Sequence, residues 1–241
     1  MPADGGSWLL PAAIEAYKHR EEIRGFWNRI LDWLLGRKTQ IAVTGVSGVG
    51  KTVLYDHLTG KALKTGYKPP LASESVEKGS LAPGGKRIVL SVIPGQEAEP
   101  RYVAIDELFG EKTPIEGVIH VAAYWYPSTR NELARQTLIR EAGLTTPELY
   151  REHQLARELK DLRETCESIR SSIRQSGKPS WMLVAVTKVD LYYDRIGNAE
   201  QYYSNHGGGP FVDSLRELLS QVGSDNFRWA ASPVCAWLED F

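Results

Sequence analysis

The chain has 241 residues, of which 42% are hydrophobic, and its 29 Lys and Arg against 30 Asp and Glu give a formal net charge of −1. This balance excludes a protein that binds nucleic acid through a globally basic surface. The two cysteines exclude a disulfide scaffold and fit a reducing cytosol. No apolar run reaches the roughly 18 residues of a spanning helix, and the N-terminus has no secretory pattern. We expect a cytoplasmic globular protein with one domain and additions.

The first 38 residues carry the pattern of an amphipathic helix. Its apolar stripe consists of Ile23, Trp27, Ile30 and Leu34. Two hypotheses stay open for this extension: it packs on the domain that follows, or its tryptophans and basic side chains contact a membrane surface peripherally. Interspersed acidic side chains dilute the basic face, which favours packing over membrane contact.

The rest of the chain alternates between strands and helices. In chain order the patterns predict a strand at 39–44, a helix at 51–59, a hairpin of strands at 76–81 and 86–93, a strand at 117–123, two helices within 129–175, a strand at 181–186, a helix at 211–222 and a strand at 227–234. Strands separated by helices indicate an α/β fold. We expect a three-layer structure whose six-stranded sheet is mainly parallel, with one antiparallel edge strand and helices on both faces.

A glycine-rich segment lies between the first predicted strand and helix. The segment Gly45-Val46-Ser47-Gly48-Val49-Gly50-Lys51-Thr52 matches G-x-x-x-x-G-K-[ST] in full, and Val53 follows it. Glycines let the backbone wrap around phosphates, and consecutive N–H groups at a helix N-terminus form an anion site. Lys51 is expected to bind the β- and γ-phosphates, and the Thr52 hydroxyl to bind Mg²⁺. The segment predicts a nucleoside triphosphate site.

Two patterns compete to identify the base. An apolar run from Tyr102 to Ile105 followed by Asp106 and Glu107 resembles the strand and Asp-Glu pair of AAA+ and ABC-type ATPases. The run Thr187-Lys188-Val189-Asp190 resembles the N/T-K-x-D guanine motif of the translation-factor-related P-loop GTPases. That resemblance implies that the Asp190 carboxylate accepts hydrogen bonds from guanine N1 and N2, while the Lys188 stem lies along the base. Adenine offers no matching pair of donors.

The order of further motifs favours guanine. They are Pro94-Gly95-Gln96 after the second hairpin strand, Glu116-Gly117-Val118-Ile119 at the next strand, and Pro233-Val234-Cys235-Ala236 near the end. They resemble the D-x-x-G-Q element, the following strand and the final P-V-S-A loop of the small Ras- and Arf-like GTPases. In that family the last loop contacts guanine through a backbone N–H, a role the resemblance carries to Cys235 and Ala236. The resemblance covers residues 39–241, and no subfamily is identified.

The sequence departs from the family at the metal site. Val92 occupies the position of the Asp in D-x-x-G, which normally holds a water ligand of Mg²⁺. Gln96 is retained and is expected to orient the attacking water. In the family, a hydroxyl of the loop before the hairpin also binds Mg²⁺. Thr65, Ser73 and Ser75 are candidates for this role, and we assign it to Ser75.

The resemblance therefore implies a protein that binds GTP with Mg²⁺, as a switch or a slow GTPase. Two alternatives stay open: a pseudo-GTPase binding module without useful turnover, and a P-loop ATPase that uses Asp106 and Glu107.

Two additions distinguish the chain from the family. The helical segment at about 129–176 is longer than the single helix usual at that point, and we expect it to contact a protein effector or regulator. The family's last helix does not follow Ala236. Either the sequence is cut short there or another element covers that face of the sheet, and we hypothesise that the extension at 1–38 does so. No nucleic-acid partner is expected, and the sequence predicts neither the pathway nor the oligomeric state.

Overall fold

The computed structural model describes residues 39–68, 76–81, 88–95, 99–110, 114–127 and 132–235. The strands are β1 (Thr39–Thr44), β2 (Glu77–Leu81), β3 (Ile88–Val92), β4 (Gly117–Ala122), β5 (Trp181–Val186) and β6 (Arg228–Pro233). The α-helices are α1 (Lys51–Leu58), α2 (Glu99–Gly110), α3 (Glu132–Ala142), α4 (Pro147–Ser176), α5 (Ile196–Tyr203) and α6 (Pro210–Val222). The hypotheses about the extension at 1–38 lie outside the described residues.

The strands form one six-stranded sheet in the order β2-β3-β1-β4-β5-β6. Strand β2 pairs with β3 in the antiparallel direction, and every other neighbouring pair is parallel. Strands β4 and β5 are buried along their whole length, as continuous apolar runs in a sheet covered on both faces should be. The predicted mainly parallel sheet with one antiparallel edge strand is confirmed.

Helices lie on both faces of this sheet. On one face, Val118 of β4 and Val184 of β5 pack in a single core with apolar side chains of α2, α4, α5 and α6. On the other face, Tyr55 of α1 lies so close to β2 that a Cβ added to Gly79 would be 2.1 Å from the Tyr55 hydroxyl. The three-layer α/β architecture follows from this arrangement.

The two helices expected between residues 129 and 175 are present as α3 and α4. Helix α4 begins after Thr146, whose side chain accepts a hydrogen bond from the Leu149 amide, and Pro147 occupies its first turn. It ends at Gly177, whose φ of 70° provides the left-handed conformation of a helix C-terminus. Among the helices in the described ranges, α4 included, none combines the length and the apolar character needed to cross a membrane.

A buried charged pair joins α2 to α4. The Arg101 side chain is only 1% exposed and its Nη2 contacts the Asp161 carboxylate, with Glu164 at 3.7 Å. Its Nη1 donates a hydrogen bond to the Pro94 carbonyl at 3.2 Å. Arg101 therefore fixes the segment that follows β3 to the long helix. The sequence does not indicate this pair, because the two residues are 60 positions apart and neither belongs to a recognisable motif.

Replacing Arg101 with Met should lower the free energy of unfolding by about 3–5 kcal/mol, because it leaves the Asp161 charge buried without its partner. Urea denaturation followed by circular dichroism measures the change. Arg174→Met, which changes an exposed arginine on helix α4, is the control and should change stability by less than about 0.5 kcal/mol. Equal stability of the Arg101 variant and the wild type would contradict the role of the pair.

Candidate functional site

The glycine-rich segment forms a tight loop between β1 and α1. Gly45, Gly48 and Gly50 have φ values of 131°, 83° and 91°, which L-residues with side chains rarely adopt. Gly45 also has no room for a side chain, because a Cβ there would lie 2.3 Å from the Val121 carbonyl oxygen of β4. The glycines thus allow the loop to wrap against the end of the sheet, as the motif requires.

The ammonium group of Lys51 lies at the centre of this loop. Its Nζ donates hydrogen bonds to the carbonyls of Gly45 at 2.7 Å and Val46 at 2.9 Å. Burial lowers the pKa of Lys51 to about 8, against the opposing effect of Asp161. The side chain therefore remains mostly protonated at neutral pH and concentrates positive charge where the motif places phosphates.

The segment after β3 lies directly on the loop. The Ser47 amide donates to the Gly95 carbonyl at 2.9 Å. A Cβ added to Gly95 would lie 2.3 Å from Lys51 Nζ and 2.5 Å from the Ser47 amide nitrogen. The donors that a phosphate chain would use thus make internal hydrogen bonds, and phosphate binding would exchange these for bonds to phosphate oxygens.

The turn that follows β5 is tied to the same loop. The Thr187 hydroxyl lies 2.5 Å from the Val49 carbonyl and 3.1 Å from the Ala122 carbonyl, and the Thr187 amide donates to Ala122 at 2.8 Å. Thr187 is therefore held between the phosphate loop and the end of β4. The predicted phosphate and base motifs, which are far apart in the sequence, lie together at one edge of the sheet.

Lys188 and Asp190 complete this turn. Lys188 has a φ of 58°, and its Nζ donates to the carbonyls of Tyr126 at 2.7 Å and Pro127 at 2.8 Å. Asp190 lies in a short 3₁₀ helix, with its carboxylate 3.8 Å from the Cys235 sulfur. The structure thus brings Thr187, Lys188, Asp190 and Cys235 together. Gln96, Ser75 and Ala236 lie outside the described residues.

The sequence does not predict that the loop after β4 holds Lys188. Two residues of this loop, Tyr124 and Trp125, have φ values of 43° and 64°, a strained conformation for aromatic residues. Both side chains are buried, and the Arg151 guanidinium of α4 lies 4.2 Å from the Trp125 ring centroid. Packing against the long helix therefore accounts for these aromatic residues. Backbone strain leaves no sequence signal by which it could have been found.

Glu158 of α4 also contacts the loop that follows β4. Its fully buried carboxylate accepts a hydrogen bond from the Ala123 amide at 3.0 Å and one from the Tyr203 hydroxyl. Burial raises the pKa of Glu158 to about 7, although both hydrogen bonds oppose the shift. The group thus titrates near neutral pH inside the core.

The Thr52 hydroxyl, expected to bind Mg²⁺, donates to Glu77 Oε1 of β2 at 3.3 Å. Val92, at the position of the family's Asp, is 1% exposed and lies opposite Glu77 in the β2–β3 register. Within the described ranges no three or more His, Cys, Asp and Glu side chains gather around a common metal position. A phosphate-loop Mg²⁺ needs no such cluster, since phosphate and water oxygens supply most of its ligands. The hard oxygens of Thr52 and Glu77 fit that ion.

The ATPase alternative loses its structural basis. It required a buried strand before Asp106 and Glu107, but residues 102–107 lie within helix α2 and both acidic side chains are exposed. Ala104, Ile105 and Leu108 pack in the core, whereas Tyr102 and Val103 are exposed. The order of the other motifs already favoured a helix over a strand here, and an apolar run of this length does not by itself distinguish the two.

The strand order, the loop between β1 and α1 and the turn after β5 define a P-loop GTPase fold. No protein-family model matches the chain, and comparison with curated proteins finds no match.

Solved structures with a similar arrangement include three GTPase domains. The G domain of the FeoB iron transporter of T. maritima is 18% identical over 83% of this chain and 89% of that chain, with a TM-score of 0.42. The Arl6 BBS3 small GTPase of Trypanosoma brucei, with bound GppNp, is 11% identical over 83% and 88%, with a TM-score of 0.44. A bacterial selenocysteine-specific elongation factor, EF-Sec, is 15% identical over 83% of this chain but only 26% of its own, with a TM-score of 0.42.

The raised pKa of Glu158 predicts a pH dependence. The folded protein holds the Glu158 proton more tightly than the unfolded chain does. The stability that this protonated group contributes is therefore complete below the pKa of the unfolded chain, and it is lost as the pH rises through about 7. Glu158→Gln keeps an acceptor for Ala123 but cannot ionise. When the pH is raised from 5 to 8, the decrease in the free energy of unfolding should be about 2 kcal/mol smaller in Glu158→Gln than in the wild type.

Urea denaturation at both pH values measures this difference. Glu152→Gln, an exposed glutamate of the same helix, should follow the wild type at each pH. A parallel decline in the wild type and the Glu158 variant would contradict the assignment of the titration to Glu158.

Proposed function

We propose that this chain binds GTP and GDP with Mg²⁺ and acts as a GTP-dependent switch or slow GTPase. The observation that carries the proposal is the contact between the Thr187 hydroxyl and the Val49 carbonyl. It joins a loop with the composition and backbone conformation for phosphates to a T-K-x-D turn with the chemistry for guanine. A phosphate loop alone would not identify the base of the nucleotide.

At the phosphate end, the amides of residues 45–50 and the N-terminus of α1 would surround the phosphates. Lys51 would neutralise charge that develops on the transferred phosphoryl group, and Val53 would adjoin the phosphates through the first turn of the helix. Thr52 would hold Mg²⁺, which supplies further neutralisation of the β- and γ-phosphate charge.

At the base end, the carboxylate of Asp190 would accept the N1 and N2 hydrogens of guanine. The bonds that hold the Lys188 ammonium to Tyr126 and Pro127 leave its aliphatic stem to lie along the base plane. Cys235 lies beside Asp190, so a backbone amide of the segment Cys235–Ala236 could reach the guanine carbonyl oxygen. Adenine presents neither the paired donors nor that acceptor.

A nucleotide-dependent switch would act on the segment after β3. Its Gly95 carbonyl accepts a hydrogen bond from the Ser47 amide, and its Pro94 carbonyl accepts one from Arg101 of α2. A γ-phosphate that takes the Ser47 amide would release Gly95 and so rearrange residues 94–112 together with the loop at 60–80. Gln96 would then orient the attacking water, and an effector or regulator would contact α3 and α4, where Leu133 and Leu149 are exposed.

The base assignment predicts which nucleotides stabilise the protein. A ligand that binds only the folded state raises the melting temperature, so GDP and GTP with Mg²⁺ should raise it far more than ATP does. Asp190→Asn should weaken GDP binding by about 100-fold, because it replaces charge-assisted hydrogen bonds, worth about 1.5–3 kcal/mol each, with weaker ones to a neutral amide oxygen. Thermal-shift titrations with each nucleotide measure both effects.

The matched control is Asp194→Asn, an exposed aspartate in the neighbouring 3₁₀ turn that should bind GDP like the wild type. A larger shift with ATP than with GTP would overturn the guanine assignment, and no shift with any nucleotide would overturn the proposal.

Hydrolysis should be slow without a partner, because in Ras-like GTPases the arginine that accelerates phosphoryl transfer is supplied by a partner. With saturating GTP and Mg²⁺ we expect a turnover of about 10⁻⁴ to 10⁻² s⁻¹, the range of unaided switch GTPases, and a further decrease in Gln96→Leu. Phosphate release measures both rates. Rapid unaided turnover would contradict this expectation, and an unchanged rate in the variant would remove the role of Gln96.

Val92, at the position of the family's Asp, favours a second candidate function, a pseudo-GTPase that binds GTP without turnover. GTP binding that persists while phosphate release stays at the level of a Lys51→Ala variant would identify it.

A further inference from the structure

The proposed magnesium site of this chain lacks the acidic side chain that such sites usually have. The inference below rests on the proposed function. Phosphate-loop proteins hold Mg²⁺ with the Ser or Thr of the loop and with an acidic side chain at the end of a neighbouring strand. Thr52 supplies the hydroxyl. Strand β3 ends in Val92, a buried apolar residue that has no oxygen to offer.

A carboxylate lies on the adjacent strand at the same level. Glu77 of β2 pairs directly with Val92 in the antiparallel ladder, and directly opposed residues project to the same face of a sheet. The side chain of Glu77 reaches the N-terminus of α1, where its Oε1 lies 3.3 Å from the Thr52 hydroxyl oxygen. It is half-buried, so it is partly shielded from bulk water.

The spacing of these two oxygens suits the ion. In an octahedral Mg²⁺ shell with metal–oxygen distances of about 2.1 Å, adjacent ligand oxygens lie roughly 3 Å apart. The Thr52 and Glu77 oxygens are already close to that separation. A carboxylate is also the protein group that Mg²⁺ most commonly uses, directly or through a bound water.

In the part of the chain that the structure describes, two other acidic side chains near the loop have different partners. Asp56 of α1 accepts a hydrogen bond from the Tyr67 hydroxyl at 3.0 Å and lies 3.4 Å from Lys61 Nζ. Asp161 is paired with Arg101. Among the residues that the structure describes, Glu77 is therefore the carboxylate that lies against Thr52.

We propose that Glu77 is the acidic magnesium partner of this site, moved from the end of β3 to the facing position of β2. It binds Mg²⁺ beside Thr52, directly or through one water, and takes over the function that Val92 cannot perform. The alternative is that Glu77 merely accepts a hydrogen bond from Thr52. Glu77→Gln separates the two roles, because the amide oxygen still accepts that bond but carries no charge.

The experiment measures the release rate of fluorescent mant-GDP from the purified chain as Mg²⁺ is titrated, a readout that needs no turnover. In Glu77→Gln the Mg²⁺ concentration that gives half-maximal slowing should rise about 10- to 100-fold, the usual loss on removing a group that supports a metal. Release in excess EDTA should match the wild type, which shows that the nucleotide site is intact. Glu77→Asp, which keeps a carboxylate, should need less Mg²⁺ than Glu77→Gln, and the exposed Glu152→Gln should match the wild type.

An unchanged Mg²⁺ dependence in Glu77→Gln would overturn the inference. Faster release to the same factor in EDTA and in Mg²⁺ would also overturn it, since that result shows a structural role. A wild-type chain that binds mant-GDP without any effect of Mg²⁺ would refute this inference and the proposed role of Mg²⁺, but not the proposed guanine-nucleotide site. A wild-type chain that binds no mant-GDP would refute the proposed function and the inference together.

Discussion

The contact between the Thr187 hydroxyl and the Val49 carbonyl is the constraint on which the rest of the site depends. It joins two segments that are far apart in the sequence, one of which we propose binds phosphates and the other a base. The parallel sheet makes the contact possible, because β1, β4 and β5 are neighbours and end at the same edge. A nucleotide bound there would span a distance fixed by the sheet and by one hydrogen bond.

Two neighbouring residues of helix α4 hold parts of this site in place. Asp161 holds Arg101, and through it the Pro94 carbonyl of the segment that lies on the phosphate loop. Glu158, one turn earlier on the same face of the helix, holds the Ala123 amide and so the strained loop whose carbonyls bind Lys188. The long helix thus connects the part expected to respond to the γ-phosphate with the part expected to recognise the base. A ligand or partner that moves α4 would affect both.

Much of the fold could be predicted from the sequence, because local patterns determine it. The apolar run of β5 and the alternation of strands and helices predicted the sheet, and the G-x-x-x-x-G-K-T match predicted the phosphate loop. The rest depends on contacts between distant residues. The pairing of Glu77 with Val92 follows from the strand register, and the burial of Arg101 follows from helix packing. The left-handed backbone at Tyr124 and Trp125 follows from neither propensity nor periodicity.

Calorimetric titration of GDP, GMP and ADP into the purified chain with Mg²⁺ tests the central claim, that one site recognises both phosphate and guanine. GMP lacks the phosphate that Lys51 would hold, and ADP lacks the donors that Asp190 would accept. The account predicts that GDP binds at least about 100-fold more tightly than either, because each loses charge-assisted hydrogen bonds. Equal affinities for GDP and ADP would contradict it.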